Sequence, residues 1–250
     1  MDLKLAGRLA LVTGASAGIG KAIACGLIAE GCGVVVNARD QDRLQVTADS
    51  IGAIGAICAD VSTDEGASRL VGEFAERHQR LDILVCNVGS GRSLPAMEEN
   101  AADWERMLRL NLFSAMLMVR AATPLLEKSG GTIVCISSIC GLEELGCPLG
   151  YGAAKAALNR YVRGAARPLA KRGIRINAVA PGNIIFPGST WEKKLSDIPA
   201  QVDEMLKREV ALGRLGFPEE ISDCVAFLAS SRASFMTGEV VVVDGGQVRS

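Results

Sequence analysis

Leu9-Ala-Leu-Val-Thr13-Gly-Ala-Ser-Ala-Gly-Ile-Gly20 passes from an apolar stretch of strand length, through a glycine-rich turn, into a segment of helical period that lasts to about Glu30. Strand, turn and helix in that order give the glycines a physical role. Gly14 can enter a tight turn, Gly18 lets the backbone approach a pyrophosphate closely, and Gly20 permits close packing of helix on strand. The helix N-terminus beyond them turns unpaired N–H groups toward the same place, where phosphates can be received. The spacing, G-x-x-x-G-x-G, departs from the common dinucleotide fingerprint, so this turn alone reads either as a nucleotide site or as a purely structural turn.

Working outward, six further strand-length apolar runs follow: Val34 to Asn37, Ala56 to Ala59, Ile83 to Cys86, Thr132 to Ser137, Arg175 to Val179 and Val240 to Val243. Helix-length segments separate them, which predicts an α/β fold with a parallel sheet and helices on both faces. Right-handed crossovers favour a doubly wound sheet. A length of 250 residues suits one large α/β domain, so residues 1–250 read as a single dinucleotide-binding and catalytic unit. The helix after Tyr151 places Leu158, Tyr161, Val162, Ala165 and Leu169 on one stripe, to pack on the sheet or on another subunit. Pro168 falls late in that helix, over three turns beyond Lys155. The least regular stretch, about 183–215, carries Pro187, Gly188, Trp191 and Pro199 before a helix from Gln201 to Val210, and reads as a substrate lid.

Hydrophobic residues make up 49% and charged residues 22% of the chain, enough for a core flanked by solvated helices. A net charge of -1 offers no electrostatic footprint for nucleic acid or an anionic membrane. The eight cysteines form no C-x-x-C pair and mostly lie in apolar runs, which reads as buried reduced thiols. The single histidine, His78, sits in the charged stretch Glu76-Arg-His-Gln-Arg80 as a solvated helix end, so no metal site is expected. The N-terminus lacks a long apolar core and no apolar run reaches about 18 residues, so a cytoplasmic location is expected.

Tyr151-Gly-Ala-Ala-Lys155, with Ser138 thirteen residues upstream of the tyrosine, is a proton-transfer pattern. Residues four apart on a helix share a face, which sets the Lys155 ammonium beside the Tyr151 phenol. A neighbouring cation favours phenolate and lowers a pKa that is ordinarily about 10. Tyr151 could then exchange a proton with an alcohol or ketone near neutral pH. Ser138 ends an apolar strand, at the carboxyl edge of the sheet where such sites form. Taken singly, each has a plainer explanation: Ser138 as a turn cap, Asn111 as a backbone partner inside a helix, Tyr151 and Lys155 as a surface pair. Their ordered occurrence favours chemistry.

Together with Asn87-Val-Gly89, Asn111 and Pro181-Gly182, these motifs make the chain resemble the short-chain dehydrogenase/reductase family, in its compact single-domain division, over essentially its whole length. The resemblance implies a Rossmann-type sheet of seven strands and a nicotinamide cofactor. It implies Tyr151 as general acid and base, Lys155 holding the nicotinamide ribose, Ser138 holding the substrate oxygen, and Asn111 anchoring water behind Lys155. It also implies cofactor contacts from Gly14, Ser16, Gly18, Ile19 and Gly20, from Asp60 and Val61 at the adenine, and from Asn87, Gly89, Tyr151, Lys155, Pro181, Gly182 and Ile184. Phe186 stands where the family often carries a threonine that touches the cofactor. A homotetramer is implied, with helices at about Ala102 to Glu127 and Tyr151 to Arg172 and the Val240-to-Asp244 strand meeting partners.

For the cofactor, Ala38 stands where family members that prefer NAD usually carry an acid, and Arg39 beside it could pair with a 2′-phosphate. That favours NADP(H). Asp40, 20 residues past Gly20, and the non-basic Ala17 leave NAD(H) open. Glu143 and Glu144 read either as acceptors for a sugar or polyol or as a solvated loop. Lys193, Lys194, Lys207 and Arg208 read either as attractors of an anionic substrate or as exposed helix charges. The expectation is an oxidoreductase that interconverts a ketone and a secondary alcohol, with 3-oxoacyl thioesters and sugars or polyols as rival substrates. A catalytically silent dinucleotide-binding sensor or scaffold is the alternative from another class.

Overall fold

The computed structural model describes residues 2–249. Seven parallel strands, β1 (Leu9–Thr13), β2 (Gly33–Ala38), β3 (Gly55–Cys58), β4 (Ile83–Cys86), β5 (Thr132–Ile136), β6 (Arg175–Pro181) and β7 (Val240–Val243), lie in the order β3-β2-β1-β4-β5-β6-β7. The chain builds outward from β1 to β3, then crosses back to lay β4 on the other side of β1. That reversal opens a crevice beyond the carboxyl ends of β1 and β4. All seven strands fall where the apolar runs predict them, with ends shifted by a residue or two.

The sheet is apolar on both faces because helices cover both, and the period of two divides each strand between them. Leu11, Val35, Ile57, Leu84 and Ile133 face one core; Ala10, Val12, Val34, Val36 and Val85 face the other. The first core is closed by α3 (Asp64–Arg77), α5 (Ser114–Glu127) and α6 (Leu149–Ala170), and the second by α1 (Gly18–Ala29), α2 (Gln41–Ile51) and α9 (Pro218–Ala229). Leu158, Val162 and Leu169 of α6 turn into the core, whereas Tyr161 and Ala165 of the same stripe are half-buried at its margin. α6 continues through Pro168 to Ala170.

The helix expected from Ala102 to Glu127 is not continuous. α4 (Ala101–Leu108) and α5 are joined by a π-helical turn, Arg109–Phe113, centred on Asn111. The Asn111 side-chain amide donates to the Met107 carbonyl at 3.1 Å, the acceptor that an α-helical Asn111 N–H would use. Competition for that carbonyl widens the turn.

Residues 183–215 hold two helices, α7 (Thr190–Asp197) and α8 (Pro199–Glu209), gathered round Val202, Leu206, Val210 and Leu215. Only the second helix is expected from the sequence. The segment closes at its base, where Ile185 N–H donates to the Gly216 carbonyl and Gly216 N–H to Asn183, each at 2.9 Å.

Candidate active site

A cavity of about 700 Å³ opens at the carboxyl ends of β1, β4, β5 and β6, roofed by residues of the 183–215 segment. Its floor is the glycine-rich turn. Gly14 has φ +64, in the left-handed region. A Cβ on Gly20 would lie 2.4 Å from both the Gly14 carbonyl and the Asn87 side-chain nitrogen, so only glycine lets α1 start against β1 and β4. Asn87 fixes that contact by donating to the carbonyls of Thr13 and Gly14 at 3.1 and 3.0 Å. Side chains of Asp40, Thr63, Asn100 and Ser189 cap α2, α3, α4 and α7. α1 has neither a side-chain cap nor an acid in its first turn, which leaves its leading N–H groups for an anion at the cavity floor.

The cavity brings together Gly14, Ile19, Gly20, Asn87 and Gly89 on one side and Ser138, Tyr151 and Lys155 on another, with Pro181, Gly182 and Ile184 between. Ser16, Gly18, Arg39, Asp60, Val61 and Asn111 stand outside its lining. Ser16 turns its carbonyl to the Thr47 hydroxyl at 3.1 Å. Gly18 is covered by the Phe186 ring, 2.6 Å from where its Cβ would be. Val61 is buried in the core. Arg39 is 64% exposed and lies 3.7 Å from the Asp60 carboxylate, linking the ends of β2 and β3. Burial of Asp60 is outweighed by hydrogen bonds from Ser62 and by Arg39, which hold its carboxyl below the ordinary value. Asp40 accepts from the Arg43 N–H at 3.1 Å, so the acid at NAD-like spacing serves as the cap of α2.

Ser138 is 7% exposed, and its hydroxyl accepts from the Cys140 N–H at 3.2 Å. The neighbouring Ser137 hydroxyl instead donates to Asn159. Lys155 is 3% exposed; its Nζ donates to the Ile136 carbonyl at 2.8 Å and lies 5.8 Å from the centre of the Tyr151 ring. Asn111, beneath them, accepts from Ser90 N–H at 2.9 Å and donates to the Ser90 carbonyl at 3.0 Å. Gly89 closes this wall. A Cβ there would lie 2.8 Å from Asn111 Oδ1 and 3.1 Å from Lys155 Nζ.

The expected lowering of the Tyr151 pKa does not occur in this arrangement. Burial pushes the phenol up to about 12, against the favourable hydrogen bond from Ser138 and with the Cys140 and Cys147 sulfurs adding to the rise. Burial also draws the Lys155 ammonium down to about 8. Desolvation is the largest cause of both shifts, raising the phenol and lowering the ammonium.

Of the two readings of the acidic pair, the one without a sugar subsite fits: Glu144 is exposed and accepts from Gly146 N–H at 2.8 Å in its own loop, and Glu143 accepts from the Arg249 N–H of the C-terminal tail at 2.9 Å. The expectation of buried thiols is corrected. Only Cys32, Cys86 and Cys135 are buried; Cys25 is exposed and the other four are intermediate. Of the lid cations, Lys207 pairs with Asp203 and Arg208 with Glu209, whereas Lys194 lies over the Trp191 ring at the cavity mouth. Arg92, Met205 and Gln247 also line that mouth and carry no sequence signal, since only the tertiary fold brings residues 92, 205 and 247 together. His78 is the C-cap of α3, its ring packed at a tilt against Phe74. Among the described residues no cluster of three or more His, Cys, Asp or Glu could hold a metal ion, and no helix is long and apolar enough to cross a membrane.

A doubly wound parallel sheet, a glycine turn leading into an uncapped helix, and a buried Ser and Lys beside a half-buried Tyr define an oxidoreductase acting on CH–OH groups. A family profile described as enoyl-(acyl carrier protein) reductase matches residues 14–247. The chain belongs to the short-chain dehydrogenase/reductase family. It is 37% identical, over 97% of its length and 96% of the relative's, to the rhamnolipids biosynthesis 3-oxoacyl-[acyl-carrier-protein] reductase of Pseudomonas aeruginosa. Its fold is similar to that of L-sorbose reductase from Gluconobacter frateurii complexed with NADPH and L-sorbose, with TM-score 0.93, 30% identity and full coverage of both chains. It is also similar to a 7α-hydroxysteroid dehydrogenase complexed with NADH and 7-oxo glycochenodeoxycholic acid, with TM-score 0.90, 31% identity and coverage of 100% and 97%.

Proposed function

We propose that the chain interconverts a ketone and a secondary alcohol, with NADP(H) as preferred cofactor and NAD(H) as a possible one. The observation that carries this reading is the convergence of Ser138, Tyr151 and Lys155 on one wall of the cavity whose floor is the uncapped start of α1. The glycine turn fits a dinucleotide, because no side chain caps the start of α1 and a Cβ at Gly20 would collide with the Gly14 carbonyl. Residues of that turn would hold the diphosphate, Asn87 to Gly89 and Pro181 to Ile184 would flank the middle of the cofactor, and Arg39 would face a 2′-phosphate. When bound, the cofactor supplies or accepts the hydride.

The chain's own residues handle the proton. The Ser138 hydroxyl, held by the Cys140 amide, orients the substrate oxygen toward the Tyr151 phenol. Tyr151 gives its proton to that oxygen in reduction and takes it back in oxidation. Lys155 keeps a positive charge one helical turn away, and Asn111 holds the Ser90 backbone and thereby the wall that Gly89 forms around the Lys155 amine. The 183–215 segment acts as a lid that excludes water from the cavity.

Tyr151→Phe should retain NADPH binding in a fluorescence titration and lose turnover by about 10²–10⁴-fold. Unchanged turnover would reject the assignment. The cofactor preference has its own test. Removing a charge-assisted contact costs about 1.5–3 kcal/mol, so Arg39→Ala should weaken NADPH binding by roughly 10–100-fold and leave NADH binding unchanged. Equal weakening of both would show Arg39 to be only the surface partner of Asp60.

Glu144 is engaged by the Gly146 N–H and Glu143 by the Arg249 N–H, so the acidic pair does not favour a sugar or polyol over a 3-oxoacyl thioester. The relatives cover acyl thioester, sugar and steroid ketone in their names. Following NADPH absorbance against one member of each class separates these substrates. We also read the chain as a homotetramer, on the strength of the apolar groove between α5 and α6 and the open edge of β7.

A further inference from the structure

We propose that Cys140 and Cys147 are an oxidation site, a dithiol in the catalytic loop that hydrogen peroxide converts to a disulfide, with loss of turnover. Cys140 lies in the 3₁₀ turn Ile139–Gly141 that follows Ser138, and Cys147 lies next to Pro148, the cap of α6. Both line the cavity alongside Ser138 and Tyr151. The two come together over Gly152, where a Cβ would stand 3.1 Å from Cys147 Sγ and 3.1 Å from the Cys140 carbonyl. Glycine at 152 therefore permits a close approach that a larger residue would block.

Each thiol acts on the ionisation of the other, and the direction of that influence sets their roles. Cys147 draws the Cys140 thiol down to about 7, with Ser138 helping, against burial and Glu144. Cys147 is in turn raised by Cys140. Cys140 is thus the nucleophile and Cys147 the resolving thiol. Other thiols contrast with them. Burial lifts Cys32 and Cys224 to about 11, and Cys86, hydrogen-bonded to Cys135 inside the core, is raised well above its ordinary value.

The chemistry balances with peroxide as oxidant. The Cys140 thiolate attacks one peroxide oxygen, the O–O bond breaks, and water leaves after protonation, giving a sulfenic acid. The Cys147 sulfur then attacks the Cys140 sulfur, the S–O bond breaks, and a second water carries off the hydroxyl and the Cys147 proton. Two thiols are oxidised by two electrons and the peroxide is reduced by two. The consequence reaches the site through the backbone, since the Cys140 amide holds the Ser138 hydroxyl and moves when Cys140 is drawn toward Cys147.

The test uses the full, reduced protein treated with hydrogen peroxide, alkylated and mapped by mass spectrometry. A peptide linked through Cys140 and Cys147, two fewer alkylated thiols of the eight, and recovery with dithiothreitol are expected. Cys147→Ser should prevent the link and leave Cys140 as a sulfenic acid that dimedone traps. All eight thiols remaining alkylated, or a link through any other pair, would overturn the site. Ketone reduction should fall at least tenfold on oxidation and return on reduction; a link formed with turnover unchanged would overturn the loss of function. That last readout rests on the proposed ketone chemistry, whereas the link is read by mass alone, so the two failures are distinguishable.

Discussion

Tyr151 and Lys155 show how far a local pattern reaches. Their spacing puts them on one helical face whatever the rest of the chain does, and Ser138 follows β5 two residues past its end, capping the 3₁₀ turn there. The ionisation of the pair is different, because it depends on how much water the fold removes. With Lys155 at about 8 and Tyr151 at about 12, the lysine is the first of the two to lose charge as pH rises. Below about 8 the ammonium makes the nearby phenol a stronger proton donor, and above it that help is gone. Ketone reduction should therefore decline as pH rises through about 8, as a pH profile of kcat/KM would record. Arginine keeps its charge throughout this range. Lys155→Arg should lose the break near 8, and the break should persist in Cys140→Ser, whose thiol is drawn to about 7. A break that vanished in the cysteine variant alone would assign it to the thiol.

Among the elements, those with a clear period appear as expected, and those built on side-chain competition do not. The π turn at Asn111 arises from one amide taking one carbonyl, which no hydrophobic period reports. α7 has no buried residues of its own, so the sequence there lacks the apolar stripe that marks a helix. α9 owes its start to Glu220, which accepts from Phe217 N–H at 2.8 Å and from Arg214 at 2.9 and 2.6 Å. The Arg214 guanidinium first, and the Phe217 N–H next, hold the Glu220 carboxyl down at about 2. A carboxylate held below its unfolded value contributes stability above that value, which is lost as pH falls toward the folded one. Glu220→Gln should therefore lower the melting temperature at pH 7 by a few degrees, and the difference from the parent protein should shrink between about pH 4.5 and 2. The pair is more than a third exposed, so high salt should shrink it too. A melting curve that moved equally at every pH would place the effect in packing instead.

The whole molecule carries apolar surface that its own chain leaves uncovered. A groove of about 660 Å³ runs between α5 and α6, floored by residues such as Met116, Tyr161, Ala165 and Leu169. β7 ends the sheet with an unpaired edge, and Phe235 nearby is fully exposed. Patches of this kind on a folded chain mark association. Light scattering at micromolar concentration should give four subunit masses, and Gly164→Glu, placing a charge in the groove, should reduce the assembly; a mass near one subunit for the parent would reject the tetramer. The sequence by itself determined the seven strands, the glycine turn and the face shared by Tyr151 and Lys155, because periods of two and 3.6 and a spacing of four are properties of neighbours along the chain. Only the tertiary structure decided that Arg39 meets Asp60, that Glu143 meets the backbone of Arg249, that Cys140 and Cys147 share the catalytic wall, and that burial lifts the Tyr151 phenol. Those outcomes depend on which distant segments pack together and how completely they exclude water, and neither is encoded in any short stretch of residues.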